Sequence, residues 1–402
     1  MSARSEPNGL PRPVRLLGWV SLLTDAATEA VYPLLPVFIT QALGGPPVAL
    51  GIVEGAADAT SSVLKIVSGR WSDRIGARRP IVLLGYTLSS LVRPFTALTS
   101  TWAQVFLIRV VDRVGKGLRG APRDAMLAAL APPGERGRVF GYHRAMDHAG
   151  AAVGPLLATV FLYFSPDNYR LLFALTIIPG ALAVFTLLKV PEQGTVRTDH
   201  SAPMASQAAL TPAALPRQLK RYLAILAIFT LGNSPDAFLL LQLSDSGVPL
   251  MGLTALWSAQ HAIKALLTMR SGMLSDRLGR PTLIISGWII YAIVYAGFAF
   301  SETAYSLIAW FLLYSTYAAA VEGSEKALIA DLAPEAIRAT AFGWHAAIQG
   351  FGALAAGIMF GLLWQFFGAP VAFLTGASLA LIAAGLLGRE YAGTPTTSGS
   401  ST

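Results

Sequence analysis

Two octapeptides decide the fold: GRWSDRIG at residues 69–76 and GMLSDRLG at residues 272–279. They share Gly, Ser-Asp-Arg and Gly at matching positions, and Asp73 and Asp276 lie 203 residues apart. A second match has nearly the same separation of 202 residues. It aligns Leu130-Ala-Pro132, Arg136, Phe140-Gly141 and His143 with Leu332-Ala-Pro334, Arg338, Phe342-Gly343 and His345. Two matches at almost one separation indicate a chain built from two related halves.

The sequence around these octapeptides has the composition of a membrane protein. Of 402 residues, 54% are hydrophobic and only 13% are charged, whereas soluble domains carry roughly 25% charged residues. Apolar runs such as 171–188 and 371–387 are typical of transmembrane helices, which need about 18 or more apolar residues. These runs exclude a soluble globular protein. The absence of cysteine excludes disulfides and thiolate-bound metals.

The hydrophobic pattern predicts an all-α membrane protein with twelve transmembrane helices. Lys and Arg concentrate in the connections after the even-numbered helices, which places both termini in the cytoplasm. The same alternation explains the net charge of +8 without a nucleic-acid partner. The predicted helices span residues 15–42, 49–72, 80–99, 102–131, 138–163, 168–189, 219–243, 250–274, 282–301, 305–332, 338–366 and 369–389.

A segment rich in Pro, Ala, Ser and Thr divides the chain nearly in half. Residues 190–218 show no apolar period and predict a flexible cytoplasmic linker. The predicted domains are therefore an N-terminal six-helix bundle, 1–189, and a C-terminal six-helix bundle, 219–402, which ends in a short disordered tail. Transporters built from such repeats bind their substrate between the repeats, near the bilayer midplane.

The first octapeptide and the residues after it resemble the loop signature of the major facilitator superfamily, between its second and third helices. The signature reads Gly-x-x-x-Asp-Arg-x-Gly-x-Arg-Arg from Gly69 to Arg79. Arg109 and the Gly-x-x-x-Gly-Pro sequence from Gly150 resemble two further motifs of that superfamily. The resemblance implies two pseudo-symmetric six-helix bundles that work by alternating access. Among its branches, the chain looks like bacterial proton-coupled efflux carriers.

These motifs predict a gate. Asp73 can accept hydrogen bonds from a neighbouring helix N-terminus or an arginine and so latch the cytoplasmic side shut in one state. The alternatives are that the loop arginines only set the topology and that the glycines of helix five serve ordinary helix packing. The predicted gating residues are Gly69, Asp73, Arg74, Gly76, Arg78, Arg79, Asp276, Arg277, Gly150, Gly154 and Pro155.

Ionisable residues within the predicted helices are a further functional signal, because each costs a few kcal/mol at the bilayer centre unless it is paired or hydrated. Helices one and two each carry two acids at i,i+4 spacing, and four such acids will not all stay ionised unless cations offset them. Arg109 and Arg113 share a face of helix four and are the predicted partners of these acids. The predicted proton-coupling residues are Asp25, Glu29, Asp58, Arg109, Asp112, Arg113, Asp147 and His148.

The second half carries a different set of polar and aromatic residues within its helices, and these predict the substrate pathway. The alternative for the aromatic residues near helix ends is anchoring at the membrane interface. The predicted pathway residues are Asn233, Asp236, Gln242, Trp257, His261, Lys264, Tyr314, Tyr317, Glu322, Glu325, His345 and Gln349.

The function predicted from these features is proton-coupled export of a small organic solute or drug across the inner membrane. Two alternatives stay open: proton-coupled import of an organic anion, and export of a divalent metal through carboxylate and imidazole ligands. The chain has no phosphate-binding Gly-x-x-x-x-Gly-Lys-Ser/Thr sequence and no hydrolase motif, so it is not expected to be an enzyme. We expect a monomer with no cofactor, whose partners are protons, a small-molecule substrate and the lipid bilayer.

Overall fold

The computed structural model describes residues 10–75, 78–132, 136–191, 215–334 and 337–391. Within these ranges the chain is helical, and no residue belongs to a strand. The predicted linker, 190–218, lies mostly outside the described residues, as does the C-terminal tail.

The six helices predicted for the first half are present, and three of them are interrupted. In chain order the elements are α1 (Arg12–Glu29), a 3-10 turn (Tyr32–Leu34), α2 (Leu35–Val37), a π turn (Phe38–Ala42), α3 (Pro47–Ile75), α4 (Arg79–Val92), a 3-10 extension (Arg93–Leu98), α5 (Trp102–Leu130), α6 (Arg136–Phe164), α7 (Tyr169–Leu175) and α8 (Ile177–Leu188).

The second half repeats this pattern, with one interruption in its first transmembrane segment. Its elements are α9 (Arg217–Gly232), α10 (Ala237–Asp245), α11 (Leu250–Leu278), α12 (Arg280–Phe300), α13 (Ala304–Leu332), α14 (Arg338–Phe367) and α15 (Ala369–Tyr391). All twelve predicted helices therefore have a counterpart, which confirms the fold class.

Nine of the helical segments in the described ranges are long and apolar enough to cross a membrane. The three remaining long helices are α3, α5 and α11. These three carry many of the charged residues singled out above, because α3 contains Asp58, α5 contains Arg109, Asp112 and Arg113, and α11 contains Lys264. Charged residues inside membrane helices are expensive and mark functional positions.

Local sequence explains where several helices begin. Thr101 and Gln104 form a capping box at the start of α5, where each side chain accepts a hydrogen bond from the other residue's backbone N–H. Thr303 caps α13 by accepting a hydrogen bond from the Ser306 N–H at 3.3 Å. Prolines stand in the first turn of α4 and α12, where no intrahelical donor is lost.

The first and seventh transmembrane segments are both interrupted near a proline and an acidic residue. After α1 ends at Glu29, a 3-10 turn contains Pro33. After α9 ends, Pro235 and Asp236 separate it from α10. Proline removes a backbone donor and clashes with the preceding turn, so these breaks follow from the sequence. Discontinuous helices supply ion and substrate contacts in many transporters.

The described chain forms two compact units that do not coincide with the two halves of the sequence. The first unit contains residues 10–35, 60–191 and 250–258, and the second contains 36–59, 215–249 and 259–391, as far as these are described. Helices α3 and α11 each contribute residues to both units. The two-bundle division at the linker stays a prediction.

In the first unit, α1 packs along α6 and α8, and α4 packs along α5 and α8. The core joins these helices through buried aliphatic side chains and Tyr86. Its fully buried members include Val14, Leu17, Val20, Val82, Leu127, Val139, Ala183 and Leu187.

In the second unit, α12 packs against α13 and α15, and α9 packs against α14 and α15. The core is aromatic, and Phe229 stacks on Trp288 with ring centroids 4.5 Å apart. Residues 47–59 of α3 pack against α14, where Gly51 faces Gly357 so closely that a Cβ on either would meet the other's carbonyl group. Glycines at this contact let two helix backbones touch.

Candidate functional site

Four arginines and one aspartate form a buried group in the first unit, which we name the arginine cluster. The Asp112 carboxylate lies 2.9 Å from Arg93 Nη2 and 3.9 Å from Arg109 Nη1. Arg113 and Arg119 also interact electrostatically with Asp112. Each of the five residues is at most 6% exposed. The cluster therefore carries three more positive than negative charges.

Close packing of α4 against α5 assembles this cluster. A Cβ on Gly85 would lie 2.6 Å from the carbonyl oxygen of Gly115, so only small residues allow this approach. The Ser89 hydroxyl donates to the backbone carbonyl of Asp112 at 2.9 Å. Arg93, the first residue of the 3-10 extension after α4, is thereby brought within hydrogen-bonding distance of the Asp112 side chain.

The arginines of the cluster differ in how many of their N–H groups have a hydrogen-bond partner. Arg119 Nη1 donates to the Ser89 hydroxyl at 2.8 Å, and its guanidinium carbon lies 4.5 Å from the centroid of the Tyr86 ring. By contrast, Arg93 Nε and Nη1 and Arg113 Nε are buried without a hydrogen-bond partner in the described part of the chain. Buried donors usually have partners, so these N–H groups are available to an anion or water.

Three acids form a second group in the first unit, which we name the acid cluster: Asp25 and Glu29 of α1 and Asp147 of α6. Asp25 interacts electrostatically with both other acids and with Lys116 and Arg119 of α5. The Asp25 side chain is half-buried and, among the described residues, forms no hydrogen bond or ion pair. It differs in this respect from the other two acids.

Asp147 has several partners. It accepts a hydrogen bond from the Ser21 hydroxyl, and its carboxylate lies 3.5 Å from His143 Nδ1 and 3.8 Å from Arg144 Nη1. His143 lies one turn before Asp147 on α6 and is buried. The predicted residue His148 is half-buried on the same helix.

Glu29 connects the acid cluster to the arginine cluster. Its carboxylate accepts a hydrogen bond from Trp257 Nε1 at 2.9 Å. The Trp257 ring lies 4.8 Å from the Tyr32 ring, and the Arg109 guanidinium lies 5.8 Å from the centroid of Tyr32. Trp257, predicted as a substrate-pathway residue of the second half, therefore contacts a predicted proton-coupling residue within the first unit.

The predicted glycine motif on α6 lies at the acid cluster. A Cβ on Gly150 would collide with the carbonyl of Leu22 and lie 3.1 Å from Cβ of Asp25, and a Cβ on Gly154 would collide with the carbonyl of Ala26. The two glycines thus permit direct contact between the α6 and α1 backbones. Pro155 lies inside α6, one residue beyond this contact.

The α6 helix also contacts the first turns of α11 within the first unit. The hydroxyls of Thr159 and Thr254 lie 2.8 Å apart, and the Ser258 hydroxyl donates to the carbonyl of Ala152 at 2.7 Å. The Ala152 contact lies within the Gly150 to Pro155 segment, and the Thr159 contact lies one turn beyond it. One face of α6 therefore meets α1, and another meets α11.

The predicted substrate-pathway residues of the second unit fall into three polar pairs or groups. Tyr314 donates to the Asp236 carboxylate at 2.7 Å. Lys264 Nζ lies 3.3 Å from Glu322. Glu325 lies 3.4 Å from His345 and accepts a hydrogen bond from Gln349 at 3.2 Å. The remaining predicted residues are Tyr317, which is buried, and Asn233, Gln242 and His261, which are half-buried.

Asp58 lies in the second unit, whereas its predicted partners Arg109 and Arg113 lie in the first. Its side chain is exposed, and it interacts electrostatically with Asp236. His261 and Lys264 also interact with Asp236. The predicted proton-coupling residues are therefore divided between the two units.

The predicted loop gate is described only in part. Gly69 lies on α3 with Ala121 of α5 close by, and Arg79 Nη2 donates to the backbone carbonyl of Leu188 at 2.7 Å. Arg78 precedes α4 and is half-buried. The side chains of Asp73, Arg74, Asp276 and Arg277, and Gly76 as a whole, lie outside the described residues.

Arg93, Arg119, His143 and Ser21 contribute to the two clusters but were missing from the predicted site. Arg93 is a lone arginine in an apolar segment, a signal that marks functional residues in membranes. His143 lies four residues before Asp147, on the same helix face. Ser21 gives no comparable signal. The predicted partners of Arg109 and Arg113 were the acids of helices one and two, whereas the structure places both arginines around Asp112 of their own helix.

No group of three or more His, Asp or Glu side chains in the described residues could hold a metal ion. Asp25, Glu29, His148 and His261, which had suggested metal export, do not form one. The alternative of a divalent metal exporter receives no support from this geometry.

The fold and these clusters define a multi-pass membrane transporter with charged groups inside its helices. A family model described as Major Facilitator Superfamily matches residues 17–259 and 240–401. The chain belongs to the major facilitator superfamily. The resemblance drawn from the loop motif is confirmed, and so is the prediction that the chain is a transporter and not an enzyme.

One similar protein matches almost the whole chain, and another matches about a third of it. It is 33% identical over 388 residues to an uncharacterized MFS-type transporter of Methanocaldococcus jannaschii, covering 94% of both chains. A multidrug resistance protein, MdtH of Photorhabdus laumondii, is 32% identical over 145 residues, which are 36% of each chain.

Solved structures share the fold at low sequence identity. The nucleoside transporter NupG superposes with a TM-score of 0.76 at 15% identity, covering 95% of this chain and 99% of NupG. A D-xylose-proton symporter superposes with a TM-score of 0.74 at 19% identity, covering 93% of this chain and 96% of the symporter.

Proposed function

We propose that this protein is a proton-coupled antiporter that exports a small organic solute across the cytoplasmic membrane by alternating access. The observation that carries the proposal is the state of Asp25. Its carboxylate is half-buried in a transmembrane helix and, within the described chain, has neither a hydrogen bond nor an ion pair. A membrane carboxylate without a fixed partner is suited to bind and release a proton.

The charges around Asp25 support a titrating role. Its own helix supplies Glu29, α6 supplies Asp147, and α5 supplies Lys116 and Arg119. The two neighbouring carboxylates oppose a negative charge on Asp25 and the two cations favour one, so the charge of Asp25 depends on the balance between these groups. Asp147 and Glu29 each have hydrogen-bond partners, which leaves Asp25 as the acid whose charge can change at least structural cost.

The position of Asp25 connects proton binding to helix packing. Gly150 of α6 faces Asp25 across the closest part of the α1–α6 contact. A change in the charge of Asp25 therefore acts where two backbones touch, and the same stretch of α6 contacts α11. A packed contact of this kind has discrete arrangements, as alternating access requires.

The direction of transport is inferred from similarity. The partial match to a multidrug resistance protein favours export, although it covers 36% of this chain. Both termini are proposed to lie in the cytoplasm, because the basic residues concentrate in the connections on that side. We propose a monomer, since one chain supplies both halves.

The test is proton-coupled flux through the purified protein in liposomes. Addition of a transported solute should move protons against it, as recorded by a pH-sensitive dye inside the vesicles. Asp25→Asn should abolish this proton movement while the protein still binds the solute. Asp167→Asn, an exposed loop residue in the left-handed region that Asn tolerates, is the matched control and should behave as wild type. Proton movement of wild-type size in Asp25→Asn would refute the assignment.

A second candidate function, uptake of an organic anion with protons, is favoured by the arginine cluster. Four arginines share one carboxylate, and three buried N–H groups of Arg93 and Arg113 have no partner in the described chain. A carboxylate or phosphate group of a substrate would satisfy them. Liposome uptake of radiolabelled organic anions and cations separates the candidates. With the outside of the vesicles more acidic than the inside, a proton-coupled importer would accumulate the anion, whereas an antiporter would drive solute out of the vesicles.

A further inference from the structure

A surface cavity of about 410 Å³ lies between α9 and α15 in the second unit. Arg221 of α9 and Arg389 and Glu390 of α15 line one part of it. Ala224, Ile228 and Leu386 line another part. The cavity belongs to neither the acid cluster nor the arginine cluster.

The lining changes from charged to apolar along both helices. On α9, Ile228 lies seven positions after Arg221, which is roughly 10 Å of helix. On α15, Leu386 lies about one turn before Arg389. The two charged ends meet because α9 begins, and α15 ends, on the side predicted to be cytoplasmic. A phospholipid has the same polarity, with its headgroup at the membrane surface and its chains toward the interior.

The charged end favours an anion. Arg221 Nη1 contacts both carboxylate oxygens of Glu390, at 2.6 and 3.0 Å, so its Nε and Nη2 still carry N–H donors for a third group. Arg389 adds a second guanidinium, and Arg217 and Lys220 lie in the first turn of α9. The lining of the cavity therefore carries two arginines and one acid. The N-terminus of a helix also attracts negative charge.

We propose that the cavity between α9 and α15 binds an anionic phospholipid of the cytoplasmic leaflet. The phosphate would contact Arg221 and Arg389, and the first part of one acyl chain would occupy the apolar end at Ala224 and Ile228. Basic pockets between transmembrane helices on the cytoplasmic side are suited to such headgroups. The lipid would bridge the first helix and the last helix of the second half.

Binding of a fluorescent phosphatidylglycerol to the purified, delipidated full-length protein tests this site. Unlabelled phosphatidylglycerol should displace the probe, and phosphatidylcholine should not. Arg389→Gln should weaken binding about fivefold, which corresponds to the attraction of one basic residue for an anionic lipid surface. Ala224→Phe should also weaken binding, because the ring fills the apolar end while every charge is kept.

The matched control is Arg280→Gln. Arg280 begins α12, is half-buried and contacts Asp331 at 3.1 Å, so this variant also removes one arginine, but one that does not line the cavity. It should bind the probe like wild type. Three results would overturn the proposal. The first is equal displacement of the probe by both lipids, and the second is unchanged binding in both Arg389→Gln and Ala224→Phe. The third is displacement by glycerol phosphate or inorganic phosphate that is as effective as displacement by phosphatidylglycerol. Size-exclusion profiles identify any variant that has not folded, and the remaining variant then decides.

Discussion

At the scale of residues, three aspartates in the first unit have different surroundings. Asp112 is enclosed by arginines, Asp147 is held by a serine and a histidine, and Asp25 has no direct partner among the described residues. Burial of a charge is tolerated only where other groups compensate for it. We therefore propose a structural role for Asp112, in addition to the functional role proposed for Asp25.

Disruption of the arginine cluster should reduce stability. Arg93→Gln leaves Asp112 with its three other arginines, whereas Asp112→Asn removes the carboxylate that four arginines share. Loss of one partner of a buried ion pair typically costs 3–5 kcal/mol, so we expect about that loss for Asp112→Asn and a smaller one for Arg93→Gln. The double variant should lose less than the sum of the single losses. Thermal unfolding in one detergent measures all three.

The size of these losses tests whether Asp112 stabilises the cluster or belongs to the titrating groups. If Asp112→Asn unfolds at the wild-type temperature, the carboxylate does not hold the arginines together, and Asp112 belongs with the titrating groups instead. Losses that add fully in the double variant would show that Arg93 and Asp112 do not interact.

The sequence alone indicates most of the charged residues of the two clusters, but it does not indicate which residues they contact. Asp25, Asp112 and Asp147 stand out because each lies within an apolar helix. Which cation faces which acid depends on helix rotation and on contacts distant in sequence, such as Arg93 with Asp112. The hydrogen bond from Trp257 to Glu29 joins residues 228 positions apart, and no local pattern predicts it.

At the scale of elements, the contact between α1 and α6 depends on two glycines. Gly154→Ala would place a Cβ against the carbonyl of Ala26, and such overpacking typically costs about 1–3 kcal/mol. Gly141→Ala on the same helix is the matched control, since its Cβ would meet nothing within 4 Å. The control should be neutral or more stable by up to about 1 kcal/mol, because alanine favours helix. Thermal unfolding of both variants makes the comparison.

Equal effects of the two substitutions would contradict a specific role of Gly154 in packing. A loss of transport in Gly154→Ala without a loss of stability would favour the gating role that the resemblance implies. The two readings of this motif, packing and gating, are thus separated by measuring stability and flux on the same samples.

The helices themselves were largely predictable, because their apolar runs are long and their ends carry Pro, Thr or Gly. The predicted third and tenth helices, 80–99 and 305–332, agree closely with α4 plus its 3-10 extension and with α13. The interruptions at Pro33 and Pro235 were missed, although proline inside a predicted helix is a known breaker. The long apolar runs on both sides of each proline predict one continuous helix, and this prediction was given more weight than the proline.

At the scale of the whole molecule, the repeat predicts two related halves, and α3 and α11 each contribute residues to both of the compact units in which the described chain packs. Hydrophobic pattern and repeats report on the order of the helices, whereas the contacts of α3 and α11 depend on packing between residues that are distant in sequence. Helices that contribute to both units are suited to change partners during a transport cycle.

This view predicts that fixing α6 to α11 stops transport. The Thr159 and Thr254 hydroxyls are 2.8 Å apart, so cysteines at both positions should form a disulfide under mild oxidation. The chain has no native cysteine, which leaves this pair as the only one that can form within the molecule. Oxidised Thr159→Cys/Thr254→Cys protein should lose most of its transport in liposomes, and a reducing agent should restore it.

The single variants Thr159→Cys and Thr254→Cys control for the loss of each hydroxyl and should respond to neither oxidation nor reduction. Alternating access requires contacts on one side of the membrane to open in each cycle, and a covalent bond between α6 and α11 prevents this opening. Full transport by the oxidised double variant, with the crosslink verified by mass spectrometry, would show that α6 and α11 stay together throughout the cycle. The moving contact would then have to lie elsewhere, and the packing of α3 on α14 through Gly51 and Gly357 is the next place to fix.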